Sequence, residues 1–147
     1  QFVMGEQVIG APIVEKMGIE AIPMGYIVFA PGGKVGAVGE ANLIESDDIE
    51  GAVAYALAAK MLGFKMVYLE AGSGVDRPVN PTIIRAVRQA IPELILIVGG
   101  GMRTGELAQV SARAGADWIV TGNLTEEYDD ASELEDVMRK YIQTMRE

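Results

Sequence analysis

Leu94-Ile95-Leu96-Ile97-Val98-Gly99-Gly100-Gly101-Met102-Arg103-Thr104 decides how the rest of this 147-residue chain is read. The apolar run Leu94 to Val98 fits a strand buried on both faces, and it stops abruptly at three glycines. Those glycines leave bare backbone N–H groups. Thr104 then caps a helix opening with Gly105-Glu106-Leu107, so a strand end meets a helix N-terminus, where donors and dipole favour an anion such as phosphate. A lone glycine cluster is weak evidence, because tight turns use glycine for shape alone. A second cluster strengthens it: Ala116 to Thr121, ADWIVT, is another short strand, and it ends in Gly122-Asn123. Two consecutive strand ends of this kind match the phosphate grip that the last two strand-to-helix turns of α/β barrels build together.

Bulk properties narrow the function classes. Hydrophobic residues make up 50% of the chain, enough for the core of one domain. No apolar run approaches the roughly 20 residues of a membrane span, and the first residues lack the basic-then-apolar pattern of a signal peptide. A cytoplasmic protein is expected. The absence of cysteine removes thiolate chemistry, and the absence of histidine removes the commonest neutral-pH acid-base group and metal ligand. With 12 basic against 21 acidic residues, a net charge of −9 argues against nucleic acid as a partner. An anion must therefore be held locally, by placed N–H groups and a few cations such as Arg103.

Working outward, strand and helix signals alternate. Gln1 to Gly18 reads as a helix with an apolar stripe of Val8, Ile9, Ile13, Val14 and Met17, broken or bent by Gly10 and Pro12. Glu20 to Phe29 reads as the first strand, with Pro23 tolerable near its start. Pro31-Gly32-Gly33-Lys34 between two apolar stretches reads as the turn of a β-hairpin, either a wall over the site or a loop without a role. Ser46-Asp47-Asp48 starts a helix whose stripe is Ile49, Val53, Ala56, Leu57 and Met61 and whose other face is rich in alanine. Phe64 to Leu69 is the second strand, Asn80-Pro81 begins the next helix, and a closing amphipathic helix runs from about Ser132.

These units specify a parallel sheet with right-handed crossovers, an α/β fold of TIM-barrel-like character. Four strand-helix units preceded by a helix make a half-barrel, too few strands to close. Residues 1–147 are expected to be the C-terminal half of such a barrel, the N-terminal half being absent from this chain. Its open edges predict a homo-oligomer.

Glu70 sits at the C-terminal end of a strand, where this architecture places catalytic groups, with Tyr68, Ser73 and glycines around it. A turn-stabilising carboxylate is the alternative role. Without histidine Ser73 cannot join a hydrolase triad and reads as a hydrogen-bond donor. Arg103 has two readings, a phosphate partner or a partner for Glu106. Trp118 is expected in packing. The acidic stretch Glu126, Glu127, Asp129 and Asp130 reads as a solvated surface because it lacks calcium-loop spacing.

Three motifs in order, Tyr68-Leu69-Glu70-Ala71-Gly72-Ser73-Gly74, Ile97-Val98-Gly99-Gly100-Gly101-Met102-Arg103 and Val120-Thr121-Gly122-Asn123, make the chain resemble the geranylgeranylglyceryl phosphate synthase family. The stretch from Glu20-Ala21-Ile22-Pro23 through Pro31-Gly32-Gly33 shares the likeness. The resemblance implies a prenyltransferase moving a geranylgeranyl group from its diphosphate to the 3-hydroxyl of sn-glycerol 1-phosphate, in archaeal-type ether lipid synthesis. It implies that Tyr68 to Gly74, Gly99, Gly100, Gly101, Arg103, Gly122 and Asn123 bind glycerol phosphate. Glu70 would deprotonate the attacking hydroxyl, with Tyr68 positioning it. The family's early strands, which carry a magnesium-binding carboxylate and a phosphate-binding lysine, have no counterpart here. Mg²⁺ is therefore implied for the reaction with no ligand in this chain. A lipid substrate also implies peripheral contact with a membrane. Two other classes share the grip: a phosphate-binding barrel isomerase or cyclase, and a non-catalytic self-associating half-barrel.

Overall fold

The computed structural model describes residues 5–147, so the start of the opening helix assigned to residues 1–4 lies outside it. The elements are α1 (Gly5–Lys16), β1 (Met24–Val28), α2 (Gly33–Val38), α3 (Ile49–Met61), β2 (Met66–Glu70), α4 (Pro81–Ala90), β3 (Ile95–Gly99), α5 (Gly105–Ala114), β4 (Trp118–Val120), α6 (Asn123–Glu126) and α7 (Ala131–Arg146). The strands form one parallel sheet in the order β1-β2-β3-β4. The expected α/β half-barrel layout is the one observed.

Register decides which side chains share a face. Tyr26, Tyr68, Ile97 and Trp118 align across the sheet, and one pleat further on Val28, Glu70, Gly99 and Val120 do so. The alternate residues, among them Ile27, Val67, Leu69, Leu96 and Val98, point to the opposite face and meet Ala52, Ala56, Ile83, Ile84 and Val87 of α3 and α4 in the main core. The helices thus cover one face. The glycine-terminated strand ends of β2 and β3 are left side by side.

Local signals place the helices that follow those ends. The Asn80 side chain accepts from the Thr82 N–H at 2.9 Å with Pro81 in the first turn, and α4 stops before Pro92. Thr104 caps α5 by accepting from the Leu107 N–H at 3.4 Å. Asp130 caps α7 by accepting from the Ser132 and Glu133 N–H groups, both at 2.9 Å.

Several expectations need correction. The hairpin after β1 does not form: Gly33–Val38 is the short helix α2, and the chain past β1 bridges in parallel to Ile44. The Phe29 N–H donates to the Glu70 carbonyl at 2.9 Å, and the outer edge of β1 is taken at its end by Ile44, whose N–H donates to the Val28 carbonyl at 3.0 Å and whose carbonyl accepts from the Ala30 N–H at 2.7 Å. The Gly32-Gly33 turn is also pressed against Gly72, whose Cβ, if it had one, would lie 2.6 Å from the Gly32 carbonyl carbon. α3 begins after Asp48, which accepts from the Gly51 N–H at 2.8 Å, rather than at Ser46. Its buried face is Ala52, Ala56 and Ala59, with Met61 exposed, because alanine lets the helix lie close on the sheet. β1 starts only at Met24, since Pro23 offers a carbonyl to Lys65 but no N–H. α1 runs unbroken through Pro12, which removes a single backbone donor, and Val8, Ile9, Ile13 and Met17 are exposed. On α5 the buried residues are Gly105, Ala108, Ser111 and Ala114, while Val110 is exposed. Small residues admit α7: a Cβ on Gly105 would meet Thr144 and the Tyr141 carbonyl at 2.7 Å. Trp118 is 53% exposed on the outermost strand.

Candidate functional site at the strand C-termini

Glu70 ends β2 and is 5% exposed, which requires partners for both carboxylate oxygens. The Tyr26 hydroxyl donates to Oε2 at 2.8 Å and the Gly72 N–H donates to Oε1 at 2.6 Å. The rings of Tyr26 and Tyr68 stack with centroids 4.7 Å apart and planes 5° from parallel. Burial, reinforced by the Glu70 carboxylate, pushes both phenols well above their ordinary value of 10.0. Both are held neutral beside the carboxylate, and Tyr26 is the one that donates to it.

The glycine turn closes over this group. Gly100 has φ +82°, and a Cβ there would stand 2.5 Å from Glu70 Oε1 and 2.6 Å from the Gly72 nitrogen. Only glycine fits that approach. The N–H groups of Gly100, Gly101 and Met102 donate to no acceptor among the described residues, and the Arg103 N–H folds back to the Gly101 carbonyl at 2.9 Å. Consecutive unspent donors of this kind form an anion-binding nest. Asn123 Oδ1 accepts from the Gly74 N–H at 2.9 Å and so ties the end of β4 to the turn after β2. Between these elements lies a cavity of about 80 Å³ lined by Tyr68, Glu70, Ser73, Gly100, Arg103 and Asn123, among others. Its size suits a phosphate group or a short polyol, not a long chain. Larger hollows of about 800 Å³ beside the 75–81 loop and about 700 Å³ on the outer face of α7 are lined neither by Glu70 nor by the 99–101 turn.

The residues singled out from sequence divide by what the structure does with them. Tyr68, Glu70, Ser73, Gly100, Gly101, Arg103, Gly122 and Asn123 line the one cavity. Leu69 and Ala71 turn their side chains into the main core. The N–H groups of Gly72 and Gly74 are already taken by Glu70 and Asn123. The Tyr68 hydroxyl lies over Gly99. Arg103 is exposed and pairs with no carboxylate among the described residues; Glu106 is instead held below the usual carboxylate range by its own backbone N–H and the Thr104 hydroxyl. Tyr26, absent from the sequence reading of the site, belongs to it. The register of β1 on β2, Val28 opposite Glu70, sets Tyr26 opposite Tyr68, and the strand ends read from sequence do not give that register. No group of three or more His, Cys, Asp or Glu side chains among the described residues is placed to hold a metal ion. None of the described helices is long and apolar enough to cross a membrane.

A parallel α/β sheet with a buried carboxylate and unspent N–H groups at adjacent strand ends is the layout of the C-terminal face of a TIM-barrel-like fold. The solved structure of (S)-3-O-geranylgeranylglyceryl phosphate synthase from Thermoplasma acidophilum, in complex with sn-glycerol-1-phosphate, superposes with a TM-score of 0.91 at 44% identity, covering 98% of this chain and 57% of that one. The Thermoplasma volcanium enzyme gives a TM-score of 0.90 at 46% identity over 98% of this chain and 56% of its own. The geranylgeranylglyceryl phosphate synthase of Methanococcoides burtonii is 53% identical over 129 residues, 88% of this chain and 52% of that protein. The chain belongs to the PcrB family, which it matches over residues 1–145. It spans about half the length of the curated relatives it matches.

Proposed function

We propose that the protein acts in the transfer of a geranylgeranyl group from its diphosphate to the 3-hydroxyl of sn-glycerol 1-phosphate, and that residues 1–147 supply the glycerol phosphate half of that barrel. The observation that carries this reading is the buried Glu70 carboxylate lying against Gly100, beside the unspent N–H groups of Gly100, Gly101 and Met102. An alcohol phosphate suits both features. Its phosphate takes the nest, with the Gly122-Asn123 backbone and Arg103 completing the grip. Its hydroxyl then falls near the carboxylate.

The chemistry follows from that pose. The hydroxyl oxygen bonds to the terminal prenyl carbon, the bond from that carbon to the diphosphate oxygen breaks, and diphosphate leaves with the electron pair. Glu70 takes the hydroxyl proton as the oxygen attacks. Tyr26, donating to Oε2, fixes the carboxylate's orientation. The stacked rings of Tyr26 and Tyr68 offer a neutral π face beside the carbon that develops positive charge. Mg²⁺, implied for the diphosphate by the family, finds no ligand set among the described residues, and none of these steps passes through it. The reading carries with it a cytoplasmic setting, contact with a membrane surface through the lipid product, and self-association of the chain. It is tested by incubating the protein with labelled sn-glycerol 1-phosphate, geranylgeranyl diphosphate and Mg²⁺. Labelled prenyl ether that disappears in Glu70→Gln supports it; product formation untouched by Glu70→Gln removes Glu70 from the chemistry.

A further inference from the structure

The glycine turn presents its donors only if the peptides around it keep one orientation. Gly100 and Gly101 both sit at positive φ, +82° and +69°, where glycine has broad freedom, and the turn's own hydrogen bond runs from the Arg103 N–H to the Gly101 carbonyl at 2.9 Å. The carbonyl of Met102 is where other elements take hold of it. Thr121 Oγ1, from just past β4, donates to this oxygen at 2.8 Å, and the Tyr141 hydroxyl, from the inner face of α7, donates to it at 3.4 Å. Tyr141 is itself buried against α5 in the second core cluster, and burial pushes its phenol up, so it stays a donor. Were the peptide between Met102 and Arg103 to flip, its carbonyl would leave both hydroxyls and its Arg103 N–H would leave the Gly101 carbonyl, releasing the peptide that carries the Met102 N–H.

We propose that Thr121, on the cavity wall, and Tyr141 are positioning residues for the anion: by holding the Met102 carbonyl they fix the peptide whose Arg103 N–H donates to the Gly101 carbonyl, and through it the peptide that carries the Met102 N–H. This rests on the reading of that cavity as the glycerol phosphate site. Thr121, with the shorter hydrogen bond, carries the larger share. The closing helix α7 thereby acts on a site that its own residues do not line.

The test uses Thr121→Val, which keeps the shape and removes the donor, Thr121→Ser, which restores it, and Tyr141→Phe. Binding of sn-glycerol 1-phosphate and of inorganic phosphate is measured by calorimetry, and the backbone amide signals of Gly100 to Arg103 by NMR. Thr121→Val is expected to weaken both anions about tenfold, Thr121→Ser to recover to within about twofold, and Tyr141→Phe to lose about threefold. In Thr121→Val the amide signals of the turn broaden or split while those of β1 and β2 do not, a pattern that general loss of stability would not give. Wild-type affinity in Thr121→Val with unchanged turn signals overturns the proposal, and so does a Thr121→Ser as weak as Thr121→Val. If the wild type binds neither anion, the glycerol phosphate reading falls, and the amide signals of the unliganded variants still decide whether Thr121 holds the turn.

Discussion

The two ends of the sheet are made from the same strands and treat their polar groups in opposite ways. At the N-terminal end Arg88, from α4, donates to the carbonyls of Gly115 and Leu94, both at 2.9 Å, and to those of Ile91 and Pro92, both at 3.3 Å. Its remaining nitrogen pairs with Asp117, which also accepts from the Leu96 N–H at 2.7 Å. The starts of β3 and β4 are locked by one guanidinium. At the C-terminal end the turn after β3 leaves three consecutive N–H groups unspent and brings a carboxylate under them. Saturation at one end and held-back donors at the other separate stability from function along one strand, as barrel folds do.

Substitutions at the two ends should therefore fail in different assays. Glu70→Gln should lower the rate of prenyl transfer by about 10²- to 10⁴-fold, the worth of a general base, with little change in melting temperature; steady-state kinetics and calorimetry on the same preparation check both halves. Arg88→Met should do the reverse, costing about 2–4 kcal/mol by stranding several carbonyls and Asp117, while glycerol phosphate affinity in the folded fraction stays at the wild-type value. A binding defect in Arg88→Met without loss of stability would break the comparison.

Smaller effects sharpen it. Gly100→Ala places a methyl against Glu70 and Gly72 in a positive-φ position, which should cost about 1–3 kcal/mol and abolish glycerol phosphate binding, read by denaturant melts and calorimetry. Tyr26→Phe keeps the ring stack and removes the donor to Glu70, so the turnover rate should drop about tenfold with affinity for inorganic phosphate unchanged. The smallest effect is on pH dependence. Because folding raises the Tyr26 and Tyr68 phenols above 10.0, their contribution to stability is complete below pH 10.0 and is lost as pH rises through the folded values, the unfolded chain ionising first. Melting temperature should fall less steeply above that pH in Tyr26→Phe than in the wild type.

What the sequence made legible was local. Asn80-Pro81 and Thr104 start helices through contacts two or three residues away, and the glycine clusters mark strand ends without help from the rest of the fold. The motif around Glu70 was readable for the same reason. What was not readable depends on distant partners: Tyr26 meets Glu70 across 44 positions, and Arg88 meets Asp117 across 29. The hairpin reading failed in the same way. Gly32-Gly33 has the composition of a hairpin turn, yet it packs on the Gly72 backbone, and the outer edge of β1 is met at its end by the parallel bridge to Ile44 instead of by a returning strand. The stripe of α3 was misjudged because large apolar residues such as Ile49 and Met61 were taken as buried. Close helix packing instead selects alanine, glycine and serine for the inner face.

The measurement that tests the central claim most directly is a titration of the isotope-labelled chain with sn-glycerol 1-phosphate, followed by backbone amide NMR. The account predicts saturable shifts led by Gly100, Gly101 and Met102, joined by Ser73, Gly122 and Asn123, with the amides of Leu96 and Asp117 at the other end of the sheet unmoved. Saturable shifts centred elsewhere, or none at the glycine turn, would contradict it.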